Sequence, residues 1–146
     1  LVSAFMGIVE HVSGVMYYIN AEHPQAVRYR DGAAEFLKER NFYRKLGTPG
    51  ILKEITVDTV KLQPDDIVFL GSDGRDDIFL SRPGQPAGFN EDENLFLRNV
   101  EKSKGNIEIL FELICACGEI RDDISLIKIQ HRDTAVAPVR NAPSRE

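Results

Sequence analysis

The sequence has 146 residues, 42% of them hydrophobic and 28% charged, with 18 Lys and Arg against 23 Asp and Glu and a net charge of −5. That length suits one domain with one sizeable core, and the ordinary composition excludes collagen, low-complexity chains and wholesale disorder. Basic residues form no run and Trp is absent, which argues against nucleic-acid binding.

No apolar run reaches the roughly 18–20 residues that span a bilayer. Leu1–Phe5 has no basic region ahead of its apolar residues, so a signal peptide is not expected. Cys115 and Cys117 cannot build a disulfide framework, and the setting expected is reducing and cytoplasmic. The chain begins with Leu, not Met; a piece of a longer protein is the expectation.

In chain order, Val2–Val12 reads as a strand, Ser13-Gly14 as a turn and Val15–Ile19 as a second strand rich in β-branched and aromatic residues. Asn20–Gln25 reads as a loop, Ala26–Arg30 as a half-buried strand, and Asp31-Gly32 as a hairpin turn. Ala33–Arg40 has the composition of a short helix, and Leu46–Gly50 that of a loop. Ile55–Leu62 and Ile67–Leu70 read as strands around the turn Pro64-Asp65-Asp66, and Gly71–Gly74 ends the second abruptly. Arg82–Phe89 reads as a loop. A helix is predicted over Asn90–Ser103, with Asn90 and Glu93 as start signal. A second, over Asn106–Cys117, groups Ile107, Leu110, Phe111 and Ile114, with Gly118 as its stop. Ile124–Ile129 reads as a last strand, and residues 131–146 as a flexible tail.

Two acidic segments abut apolar strands. One is Asp73, after Phe69-Leu70-Gly71-Ser72; the other is Asp122-Asp123, before Ile124-Ser125-Leu126-Ile127. Carboxylates gathered at strand ends call for a cation, and hard oxygen donors favour Mg²⁺ or Mn²⁺. Taken singly, Asp73-Gly74 reads first as a turn, and Asp122-Asp123 as an exposed turn or a capping group. The spacing does not bring them together.

Four segments in order carry a resemblance: Tyr18-Ile19-Asn20-Ala21-Glu22-His23-Pro24; Leu46-Gly47; Leu62 through Asp73-Gly74; and Asp122-Asp123-Ile124-Ser125-Leu126. Together they resemble the PPM (protein phosphatase 2C) superfamily, and within it the bacterial SpoIIE/RsbU-like branch. The resemblance implies an α/β fold of the α+β type: an α-β-β-α sandwich of two antiparallel sheets with flanking helices. It covers residues 1–130. It implies a two-metal Mn or Mg site, with Asp73 and Asp122 as ligands and a water that attacks a phosphoserine or phosphothreonine. Gly74 and Asp123 would support that site. Asp76 and Asp77 stand where the branch often carries another acid; each is an extra ligand or a solvated turn residue. Asn20 and His23 are structural or lie on the phosphate side, with the structural role favoured for His23.

The branch's upstream segments, "G-G-D-x-x-D" and "D-x-x-G-H-G", do not occur here, and Glu22 replaces a usual Gly. The resemblance therefore implies the C-terminal part of a phosphatase domain, incomplete at its N-terminal side and inactive alone. Its partners would be a phosphorylated protein, such as an anti-sigma-factor antagonist, and an upstream sensor or regulatory domain. The alternative is a non-catalytic remnant that binds protein or forms a homodimer through open sheet edges. Arg28 and Arg30 read as solvated strand-face residues or as a charge that steers a phosphoprotein. Cys115 and Cys117, two apart on a helix, read as core or partly buried residues and not as a redox pair.

Overall fold

The computed structural model describes residues 1–50, 54–81 and 87–132. Its strands are β1 (Ala4–Glu10), β2 (Val15–Ala21), β3 (Val27–Arg30), β4 (Ala33–Phe36), β5 (Asp58–Lys61), β6 (Ile67–Gly71), β7 (Ile78–Leu80), β8 (Gly88–Phe89), β9 (Glu119–Ile120) and β10 (Leu126–Gln130). A one-turn 3₁₀ helix, Asp73–Arg75, follows β6. The α-helices are α1 (Leu95–Ser103) and α2 (Ile107–Cys117). The strands pair antiparallel in three sheets, ordered β1-β2-β5, β10-β6-β3-β4 and β8-β7-β9.

Alternation along β6 sets the layers. Ile67 and Phe69 face a core shared with Val27, Phe96, Val100, Leu110 and Ile114, under the two helices. Val68 points the other way, into a second core with Met16, Tyr18, Ala26, Leu37 and Leu62 between the sheets. A strand buried on both faces is a near-continuous apolar run, as Ile67–Leu70 is. The antiparallel sheets and flanking helices of the expected fold are thus present. Both helices lie against β10-β6-β3-β4. The outward face of β1-β2-β5, with Met6, Ile8 and Tyr17 exposed, carries no helix among the described residues.

The hairpin at Asp31-Gly32 forms as expected, both residues taking positive φ (49° and 88°), the geometry of the two-residue primed turn. It overturns the helix expected over Ala33–Arg40. Arg30 pairs Ala33 and Val27 pairs Phe36 in register, and the Leu37 N–H extends the pairing to the Ala26 carbonyl at 2.8 Å. Ala, Glu, Leu and Lys favour helix only weakly as a local preference, and pairing with β3 overrides it.

Other boundaries move for similar reasons. α1 starts at Leu95, not Asn90, because Asn90 and Asp92 each accept a backbone N–H two residues on and fold Asn90–Asn94 into successive turns. α2 starts where expected: Asn106 caps it by accepting the Ile109 N–H at 2.9 Å. Its buried line is Leu110 and Ile114, while Phe111 is 47% exposed. Cys115 is exposed, against the expectation of burial, and Cys117 is half-buried. Arg28 and Arg30 are not free on a strand face; they pair with Glu35 and Asp66. The short strands β7, β8 and β9 escape the sequence reading. Residues 82–86 of the expected loop, and 133–146 of the expected tail, lie outside the described residues.

Candidate metal centre

Antiparallel pairing of β6 with β10 builds the site. Gly71 sits opposite Leu126, so the chain leaving β6 runs beside the chain entering β10. Ser72 clips them together. Its N–H donates to the Ser125 carbonyl (3.0 Å), its hydroxyl donates to the Asp123 carbonyl (2.9 Å), and the same hydroxyl accepts the Ser125 N–H (3.0 Å). Gly74 then lets the two backbones touch. A Cβ there would lie 2.5 Å from the Asp123 carbonyl oxygen and 3.0 Å from that of Asp122, closer than side-chain carbon tolerates.

The 3₁₀ turn orders the acids that follow. The Asp76 and Asp77 N–H groups both donate to the Asp73 carbonyl, at 2.8 and 3.1 Å, and the Asp77 carbonyl accepts the Arg121 N–H at 3.1 Å. In consequence, one carboxylate oxygen each from Asp73, Asp77 and Asp122 lies within 4.8 Å of the others, all three residues exposed. Asp123 contributes through its backbone: its N–H donates to Asp122 Oδ1 at 2.7 Å, which orients that carboxylate.

Asp76 points elsewhere. Its carboxylate pairs with Arg75 Nε at 3.1 Å. Burial pushes the Asp76 carboxyl above its ordinary range, against the pull of Arg75. Arg75 is itself buried; its Nη2 donates to the Gln25 carbonyl at 2.8 Å and its guanidinium lies 4.1 Å over the Phe96 ring. Nη1 makes no hydrogen bond, and the guanidinium's contact with the π-face of the buried Phe96 is its compensation. Arg75 thereby fixes the acidic turn to α1 and to the loop after β2.

Asn20 is buried and closes that loop. Its Oδ1 accepts the His23 N–H at 2.8 Å, and its Nδ2 donates to the His23 carbonyl and to Glu39, both at 2.7 Å. The His23 ring sits 2.9 Å, through Nδ1, from the Pro24 carbonyl and packs near Phe5. His23 also borders a cleft of about 420 Å³ that reaches Ser72 and Asp73.

The donor set suits a hard divalent cation. Three carboxylates offer oxygen only, and opposite ligands of a Mg²⁺ ion stand about 4 Å apart, so small rotations of exposed side chains bring the three oxygens into one coordination shell. The structure joins Asp73 and Asp122, which their spacing does not, and adds Asp77 while turning Asp76 away. Ser72 and Arg75 had no assigned role in the sequence. The apolar stretch before Ser72 and the Gly after Asp73 marked a tight strand end without showing what packs against it.

The sequence model of the family described as Stage II sporulation protein E (SpoIIE) matches residues 1–132. The chain belongs to that family. Among solved structures, it is similar to the RsbU and RsbW domains of a Mycobacterium tuberculosis protein, at 21% identity and TM-score 0.65, covering 89% of this chain and 36% of that one. It is similar to the phosphatase domain of SpoIIE from Bacillus subtilis, presoaked with Mn, at 14% identity and TM-score 0.64, covering 98% and 59%. It is also similar to the SiaA PP2C domain of Pseudomonas aeruginosa, at 19% identity and TM-score 0.66, covering 88% and 51%. The shared property is the fold of PP2C-type phosphatase domains. The chain spans between about a third and three-fifths of these three chains. No curated protein sequence matches it significantly. No described helix is long and apolar enough to cross a membrane.

Proposed function

We propose that the chain is the metal-binding C-terminal part of a phosphoserine/phosphothreonine protein phosphatase domain, residues 1–130 being that part. The observation that carries this reading is the convergence of Asp73, Asp77 and Asp122 from two segments held in contact at Gly74. Asp73, Asp77 and Asp122 hold Mn²⁺ or Mg²⁺. Such an ion, when bound, offsets phosphoryl charge and makes water acidic enough to supply a nucleophile near neutral pH.

The chain's own contribution is position. Ser72 and Gly74 fix the distance between the two acidic segments, Asp123 orients Asp122, and Arg75 holds the turn against Phe96. Asn20 and His23 shape the cleft beside Asp73, where the phosphorylated side chain enters. The substrate is a phosphoprotein, of which an anti-sigma-factor antagonist is one example, and control comes from a regulatory domain upstream. Further ligands come from residues outside this chain, so the chain alone is inactive and works in the cytoplasm as part of a larger protein.

The test is p-nitrophenyl phosphate hydrolysis with and without Mn²⁺, on this chain and on the complete gene product that contains it. Mn²⁺-dependent turnover by the complete product, lost in Asp73→Ala and Asp122→Ala, supports the reading. Turnover that ignores both substitutions contradicts it. A second reading, a protein-binding remnant that dimerises, draws on the exposed Met6, Ile8 and Tyr17 face. It predicts a dimer by light scattering that Ile8→Lys converts to monomer.

A further inference from the structure

We propose that the cleft beside Asp73 selects phosphopeptides with an acidic side chain next to the phosphorylated residue, with Lys45 as the specificity-determining residue and Glu22 as the residue that positions it. The proposal rests on the phosphatase reading above and names the class of substrate for that site.

The cleft is lined by Ser72 and Asp73 together with Glu22, His23, Phe42 and Lys45. A phosphoryl group bound beside Asp73 leaves its neighbouring residues in the cleft that Phe42 and Lys45 also line. The segment carrying these two is anchored on both sides: Tyr43 bridges to Ala21, and Leu46 bridges to Val2. Between the bridges, Glu22 accepts the Lys45 backbone N–H through its carboxylate at 2.8 Å. Glu22 does so from φ +52°, a left-handed conformation that disfavours a side chain with Cβ. A glycine would adopt it without strain. The glutamate persists there with its side chain committed to holding the Lys45 backbone.

That tie holds the Lys45 backbone at the cleft, while the Lys45 ammonium has no hydrogen bond or ion pair with a described residue. Glu22 keeps its negative charge on the rim, with Oε2 turned to the Lys45 N–H, so the Lys45 ammonium is the cleft's one cationic lining group among the described residues. Phe42, 74% exposed on the same rim, offers an apolar surface to the peptide backbone. An anchored segment, an unpaired ammonium and an exposed ring fit an extended acidic peptide, and oppose a basic one.

The test is fluorescence anisotropy with labelled phosphoserine peptides and Mn²⁺, using the full chain. The peptides carry Asp, Ala or Lys on both sides of the phosphoserine. The wild type binds the Asp-flanked peptide about fivefold more tightly than the Lys-flanked one, the scale of an exposed charge pair. Lys45→Ala removes the roughly fivefold preference between the Asp-flanked and Lys-flanked peptides. Lys45→Glu inverts the preference, which a merely structural residue would not do. Glu22→Gln, which keeps an acceptor for the Lys45 N–H and removes the charge, keeps the preference, and Glu22→Gly, which loses the acceptor as well, weakens it relative to Glu22→Gln. An unchanged peptide ranking in Lys45→Ala, or an equal loss for all three peptides, overturns the proposal while leaving the phosphatase reading standing. Failure of the wild type to bind any of the phosphopeptides with Mn²⁺ also overturns the proposal, while the phosphatase reading is decided separately by hydrolysis with the complete gene product.

Discussion

Gly74 carries the heaviest steric demand at the site. Gly74→Ala forces the Asp122–Asp123 backbone away from Asp73, and the expected result is Mn²⁺ affinity at least about tenfold weaker with the circular dichroism spectrum kept, since a tenfold change is only 1.4 kcal/mol. Isothermal titration calorimetry checks it. Ser72→Ala removes the hydroxyl clip and lowers stability by about 1 kcal/mol, read as a lower urea midpoint. At this scale the two acidic segments at Asp73 and Asp122 stood out in the sequence, because an acid beside an apolar strand is conspicuous, while their convergence did not. The choice between Asp76 and Asp77 did not stand out either. It depends on the phase of a single 3₁₀ turn and on the burial of Arg75, neither of which adjacent residue types reveal.

Asp66 gives a pH prediction. Its side chain is 1% exposed, takes a hydrogen bond from the Gln63 N–H at 2.8 Å and one from Arg30 Nε at 2.7 Å. Burial raises its carboxyl pKa, but the Arg30 and Gln63 hydrogen bonds outweigh burial and hold it below the ordinary carboxylate range. A lowered folded pKa means stability present above the unfolded value, about 4, and lost as pH falls through the folded one. The urea midpoint of the wild type therefore drops as pH is taken from 5 toward 3. In Asp66→Asn the midpoint is lower throughout, by roughly 1–3 kcal/mol for weakened hydrogen bonds to a buried group, and its acid dependence is shallower.

At the scale of elements, most strands were readable from alternation and turn chemistry, and the exceptions have physical causes. β4 pairs because the Asp31-Gly32 turn delivers it to β3, whatever its local helix preference. β7, β8 and β9 are two or three residues long, too short for a period to register. They join because Gly118 follows α2 with a Cβ position only 2.4 Å from the Phe79 carbonyl oxygen. The helix stop expected at Gly118 is real, but its φ of 172° is ordinary extended backbone; glycine is needed for close approach to β7. Gly118→Ala separates β9 from β7 and destabilises by about 1–3 kcal/mol, measured by urea unfolding. Because Ile78 pairs Ile120 beside Asp77, the same substitution also weakens Mn²⁺ binding.

At the scale of the molecule, the β10-β6-β3-β4 sheet is covered by the two helices on one face and by β1-β2-β5 on the other. Phe69, fully buried in the core under α1 and α2, ties that core to the strand that ends at Ser72. Phe69→Ala costs about 3–5 kcal/mol, seen as a loss of cooperative thermal unfolding. The layers were legible only through the family resemblance, since strand patterns do not state which sheet a strand joins. The exposed outward face of β1-β2-β5 was not legible at all: Met6, Ile8 and Tyr17 alternate as any half-buried strand would, and only the layering shows that nothing among the described residues covers them.

The site belongs to this scale as well, because it exists only where β6 and β10 run side by side. The most direct test is a Mn²⁺ titration, by calorimetry, of the full chain and of Asp73→Ala, Asp77→Ala, Asp122→Ala and Asp76→Asn. The first three substitutions are predicted to weaken Mn²⁺ binding about tenfold or more each, since even groups that only orient a ligand cost that much, and Asp76→Asn to leave it within about twofold, the scale of a weak charge interaction, because its carboxylate is turned to Arg75. Equal affinity across all four variants and the wild type, or an Asp76 effect as large as that of Asp77, would contradict a centre built from Asp73, Asp77 and Asp122.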